Sequence, residues 1–168
     1  STSQTTSQSQ INQSGFISAT DTGSPIPEGA IVVPRDYATI QEAIDAAVEG
    51  DTIMVGPGTY GGGLDTKGKW LTIKSTDGAE STIIHGDGSS LGLTIQPIES
   101  LEEVIVIEGL QFTNHRQALY AEATQTQILI LDCLFYRNRP LGISPFWGVA
   151  IQSNSKMTVK RCRFIENA

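Results

Sequence analysis

Three segments, IVIEGLQFTNH (Ile105–His115), ILILDCLFYRN (Ile128–Asn138) and MTVKRCRFIEN (Met157–Asn167), carry one spaced pattern of apolar residues. The matching slots are Ile105/Ile128/Met157, Ile107/Ile130/Val159, Leu110/Cys133/Cys162 and Phe112/Phe135/Phe164, closed by His115/Asn138/Asn167. Spacing within each copy is constant, whereas successive copies start 23 and then 29 residues apart. A unit that keeps its strand and varies its loops is the signature of stacked solenoid rungs.

Upstream of the repeat, short apolar runs alternate with Gly/Asp/Ser turns: Ile31–Val33 ended by Pro34, Asp51–Val55 ended by GPGTYGGG, then Leu71 with Ile73, Ile83 with Ile84, and Leu93 with Ile95. Such punctuation implies three short strands per circuit. One segment reads differently. Thr39 is a candidate N-cap with Glu42 as its capping-box partner, and Ile40, Ala43, Ile44, Ala47 and Val48 fall on one helical face before Gly50. A lone amphipathic helix must lay that face on strands, and a solenoid needs its first rung covered.

At 168 residues, with 17 glycines and 17% charged residues, the chain suits one turn-rich β domain. Its net charge of −7 argues against general nucleic-acid binding. No apolar run reaches the ~20 residues of a membrane span, and these 168 residues contain no charged-then-apolar signal sequence. Charge is asymmetric: residues 1–112 hold 4 basic and 15 acidic residues, residues 113–168 hold 7 and 3. Residues 1–29 open with an uncharged polar tract and read as a tail or linker, or as a segment docked through Ile11, Phe16 and Ile17. The domain spans 30–168, with a cap over 30–60 and coils over 61–168. Its start without methionine suggests a mature or excised segment. The stop after the third copy leaves a rung without cover, which suits an N-terminal fragment, an end-to-end homodimer or a folded-back tail.

The stretches VVPRDYATIQEAIDAA (Val32–Ala47), GDTIMVGPGTY (Gly50–Tyr60), LTIKS (Leu71–Ser75) and TIIHG (Thr82–Gly86), followed by the three copies, resemble the N-terminal cap and first coils of the pectin-lyase-like superfamily. The resemblance implies an all-β fold, a right-handed parallel β-helix with an N-terminal amphipathic capping helix. It further implies a secreted or cell-surface protein that binds or helps process an anionic polysaccharide, in the manner of polysaccharide lyases. A non-catalytic structural, adhesion or assembly module is the competing reading, since one fold hosts many functions.

Outward slots are where a site would sit. Lys160 and Arg163 are expected on one strand face with Arg137 at its margin, and with Tyr136 they could hold the carboxylates of a uronate chain. The same cations could equally be a solvated strand that blunts a sheet edge. Phe146 and Trp147, in the longest loop between copies, could stack on sugar faces or fold over the coil. Tyr60 and Trp70 read as packing.

A glycosidase would need convergent carboxylates, and Asp132 and Glu108 occupy different slots. No catalytic set is complete, no metal or cofactor site is identified, and Ca²⁺ is conceivable without an Asp cluster to hold it. Cys133 and Cys162 face inward on adjacent rungs, as packed free thiols or as a disulfide. His115 takes the place of an Asn in the ladder, or else exposes an imidazole that titrates near neutrality.

Overall fold

The computed structural model describes residues 24–98, 100, 102–122, 127–139 and 149–167. Ile11, Phe16, Ile17, Phe146 and Trp147 lie outside them. Strand β1 (Ile31–Val33) and helix α1 (Ile40–Ala46) open the domain. The first circuit follows as β2 (Thr52–Val55), β3 (Gly58–Gly61) and β4 (Leu64–Asp65), the second as β5 (Thr72–Ser75), β6 (Thr82–His85) and β7 (Leu91–Ile95). The third is β8 (Val104–Glu108), β9 (Gln111–Thr113) and β10 (Gln117–Ala121), and the fourth β11 (Gln127–Leu131), β12 (Leu134–Tyr136) and β13 (Val149–Ser153). Strands β14 (Met157–Lys160) and β15 (Arg163–Ile165) begin the next.

Each strand pairs in parallel with its counterpart one circuit away, giving three sheets: β1-β2-β5-β8-β11-β14, β3-β6-β9-β12-β15 and β4-β7-β10-β13. The chain is a parallel β-helix of about five turns. Register is set by burial, because a one-residue slip would turn each inward side chain to solvent. The first sheet stacks Ile53, Ile73, Ile107, Ile130 and Val159, the second Ile84, Phe112, Phe135 and Phe164, and the third Leu64, Leu93, Leu119 and Ile151. Phe112 lies parallel to Phe135 at 5.5 Å between centroids, and Phe135 to Phe164 at 4.9 Å. Burying a Phe contributes roughly 1.5–3 kcal/mol. The ladder expected from the repeat is therefore the core, with Phe164 on the last described rung 52% exposed.

Helix α1 starts as its capping box prescribes: Glu42 N donates to Thr39 Oγ1 at 3.2 Å, and Thr39 N donates to Glu42 Oε2 at 3.0 Å. Ile40, Ala43 and Ile44 face the first rung and are buried. The helix is shorter than its apolar spacing suggests. Ala47 leaves it at ψ 150°, still buried, and Val48, expected on the covered face, is 67% exposed. The stop comes from Lys69, whose Nζ donates to the carbonyls of Ile44, Asp45 and Ala47 at 2.8, 3.0 and 2.7 Å. These are groups that a helix C-terminus leaves without intrahelical partners. Gly50 makes room for an aromatic ring instead. At φ +90° it lies where a Cβ would be 2.5 Å from Trp70, which packs on the core as expected.

One expectation needs correction. Each repeat copy, read as a single strand, is two strands on different sheets, joined by a bend at Gly109, Asp132 and Arg161. These three residues occupy the left-handed region at φ 67°, 52° and 53°. A second left-handed corner, Asn114, Arg137 and Glu166 at φ 58°, 51° and 53°, turns the chain from the second sheet to the third. Lys160 and Arg163 are thereby separated onto two faces.

Candidate functional site

Lys160 ends a row of the first sheet that runs Val32, Met54, Lys74, Glu108, Leu131, Lys160, buried at Val32 and Met54 and reaching solvent from Lys74 onward. Arg163 ends an outward row of the second sheet, after Ile83, Gln111 and Leu134. Beside it run His85, Thr113, Tyr136 and Ile165. Tyr136 and Arg137 are the sequence candidates that meet: the guanidinium carbon stands 4.8 Å from the centroid of the half-buried Tyr136 ring. Such a contact is worth about 0.5–1 kcal/mol where exposed.

The cations expected to line an open groove are largely taken. Arg137 Nε donates to Glu166 Oε2 at 2.6 Å, and Arg139 Nε to the Glu166 carbonyl at 3.1 Å. Arg161 grips Asp132 through Nε and Nη2 at 2.7 and 2.6 Å. Arg163 reaches over the second sheet to Glu80, and Lys74 pairs with Glu108 at 3.0 Å. The hydrogen bond from Arg161 lowers the pKa of Asp132, and the one from Arg137 to Glu166 raises that of Arg137. Among the described residues Lys160 has no such carboxylate. Two of these pairs join successive rungs: Asp132 with Arg161 and Arg137 with Glu166 are opposite charges in one slot of successive copies.

At the turn after the second sheet the side-chain ladder forms as read. Asn138 Nδ2 donates to Phe112 O at 3.0 Å, Asn167 Nδ2 to Phe135 O at 2.7 Å, and His115 Nε2 to Ile84 O at 3.1 Å. Their acceptor atoms serve the rung before: Asn138 N donates to Asn167 Oδ1 at 3.0 Å, and His115 N to Asn138 Oδ1 at 3.1 Å. His115 Nδ1 should repeat this role and finds no donor. The imidazole is fully buried, not exposed, and desolvation lowers its pKa, which removes the expected titration near neutrality. Space for the ring is supplied by glycine. A Cβ on Gly62 would lie 2.3 Å from His115 Cε1, and one on Gly86 2.2 Å from Nδ1.

No group of three or more His, Cys, Asp and Glu side chains that could hold a metal ion occurs among the described residues. Within them no helix is long and apolar enough to cross a membrane. Compared with protein-family models, with curated proteins and with solved structures, the chain finds no significant match. Fold and site together define a parallel β-helix protein with ion-paired corners and one aromatic–guanidinium platform.

Proposed function

We propose that this β-helix binds an extended polysaccharide outside its cell of origin, along the face that carries Tyr136. The platform of Tyr136 under Arg137 is the observation that carries this reading. The guanidinium stacked over the half-buried ring is the exposed partner, and a planar donor held in place by an aromatic ring suits the hydroxyls and carboxylates of a uronate chain. The sequence resemblance to pectin-lyase-like cap and coils supports a carbohydrate ligand, and a uronate would find its counter-charge on this face in Arg137 or Arg163 released from its carboxylate.

Affinity electrophoresis through gels holding neutral or uronate polysaccharides, with and without Ca²⁺, tests the reading, with unsaturated product and reducing ends followed in parallel. Retardation that weakens with Tyr136→Ala is expected. No retardation in any gel would sink it, and retardation unchanged by Tyr136→Ala together with Arg163→Ala would move the site to another face.

A structural or adhesion module is the second reading. The ion pairs linking successive rungs favour it, because they commit charge to holding the stack rather than to a ligand.

A further inference from the structure

At the end of the solenoid that carries α1, each of the three sheets presents a strand edge, and an unpaired edge is a template for another strand. In a parallel ladder alternate residues turn both backbone groups to the same side. Two of the three edges are closed by local mimics of a strand. Val32, the edge-facing residue of β1, donates from N to Asp36 Oδ2 at 2.8 Å and accepts at O from Asp36 N at 2.7 Å. Asp65 is covered in the same way in β4: its N donates to Gln41 Oε1 at 2.9 Å, and its carbonyl accepts from Gln41 Nε2 at 3.2 Å.

The third edge has no such cover among the described residues. Gly58 N and Gly62 N donate to Ser81 O and His85 O at 2.8 and 3.0 Å, which turns the backbone groups of Thr59 and Gly61 away from β6. Strand β3 ends its sheet, and both residues are exposed. Beside this edge lies a cleft of about 330 Å³ between β3 and the start of α1, lined among others by Ile40, Gln41, Tyr60 and Leu64. A Cβ on Gly61 would meet nothing within 4 Å, so another backbone can approach.

We propose that residues 11–18 of this chain, INQSGFIS, add as a strand to β3 at Thr59 and Gly61, with Phe16 seated in the cleft. Reach and composition select this occupant. Ser24 N donates to Thr76 O at 2.7 Å, and Ser24 lines a second cleft together with Gly56, two residues ahead of β3. Phe16 precedes Ser24 by eight residues, a reach of up to about 26 Å against the about 13 Å of a four-residue strand. Residues 1–20 carry no charged side chain, and Ile11, Phe16 and Ile17 are their large apolar ones. In strand addition the main chain supplies the attachment and a pocket selects the side chain. The covalent tether holds the segment at an effective concentration on the order of mM, so a short edge suffices.

Amide exchange resolved by NMR on the full chain tests the proposal. The Thr59 and Gly61 amides are expected to exchange about tenfold more slowly in wild type than in Phe16→Asp, with nuclear Overhauser contacts from the Phe16 ring to the methyl groups of Ile40 or Leu64. Tyr60, whose N–H faces β6 by the same alternation, should stay protected in both proteins. Equal exchange of Thr59 and Gly61 in the two proteins overturns the proposal. Absence of the Phe16 contacts in wild type overturns it without any variant. Protection that rises with protein concentration overturns it as well, by assigning the edge to a second copy.

Discussion

Gly62→Ala is a small change with a large expected cost, because the space it would fill is already occupied by a side chain two circuits further along the chain. A Cβ there would stand 2.3 Å from His115 Cε1, and no other atom lies closer than 3.0 Å, both further contacts being to the same ring. Ordinary van der Waals contact begins about an ångström further out. The ring cannot retreat easily, since His115 Nε2 is tied to Ile84 O and the residue is fully buried. Overpacking of this kind costs about 1–3 kcal/mol.

Because the clash is with the imidazole alone, His115→Asn should relieve most of it, and the two substitutions should couple by about 1–2 kcal/mol. Gly86→Ala is the control. Its Cβ would meet His115 Nδ1 at 2.2 Å and also the Asn114 carbonyl oxygen at 2.5 Å, a backbone atom that His115→Asn leaves in place. Urea unfolding at about pH 7.5, where the imidazole is neutral in both states, measures both cycles when followed by far-ultraviolet circular dichroism. Additive effects of Gly62→Ala and His115→Asn, or equal rescue at Gly62 and Gly86, would refute the placement of the ring.

The buried imidazole also makes stability depend on pH. Its folded-state pKa lies below the unfolded value of 6.5, so the folded state holds fewer protons. The stability is complete above about pH 6.5 and falls with pH through the folded-state value, by up to about 1.4 kcal/mol per unit. His115→Asn should flatten the wild-type curve below about pH 6.5, and parallel curves would count against burial of a neutral ring. Lys69→Met keeps the aliphatic stem and removes three hydrogen bonds to the end of α1, for a loss of about 1–2 kcal/mol in denaturant unfolding; an unchanged midpoint would show that Lys69 does not cap the helix. Arg161→Asp sets like charges one rung apart at Asp132 and should lower the unfolding midpoint at low salt, with Asp132→Arg restoring the loss. That cost should shrink in about 0.5 M salt, and a salt-independent effect would point to the left-handed backbone instead.

Those same residues show which parts of the molecule are readable without coordinates. Inward slots are, because period, size and apolarity agree in all copies, and Phe112, Phe135 and Phe164 stack where the repeat places them. The cap of α1 is readable too, since Thr39 and Glu42 are local partners. Its end is not, because Lys69 arrives from more than twenty residues away. The bend that splits each copy is signalled by Gly109 alone. Asp132 takes the same left-handed conformation, which Asp adopts only occasionally, and Arg161 does so with no preference for it, so a single glycine in three copies reads as an exception.

For the candidate site, the physics that misleads is pairing. Lys160, Arg163 and Arg137 look like a basic groove when cations are counted, yet Arg137 and Glu166 share one slot of successive copies, as do Asp132 and Arg161. In a parallel stack residues in one slot are nearest neighbours, so opposite charges there satisfy each other before any ligand arrives. That much was legible from the aligned copies. The Arg163 pair with Glu80 was not, because it joins a strand to a loop of a different circuit and leaves no periodic trace. The cradle of His115 lies between these cases: Gly62 and Gly86 belong to successive circuits, and both are small where a third circuit carries a ring in place of an Asn. In a solenoid, a large residue in a ladder slot is a statement about the circuits before it, and glycine there marks the space it needs.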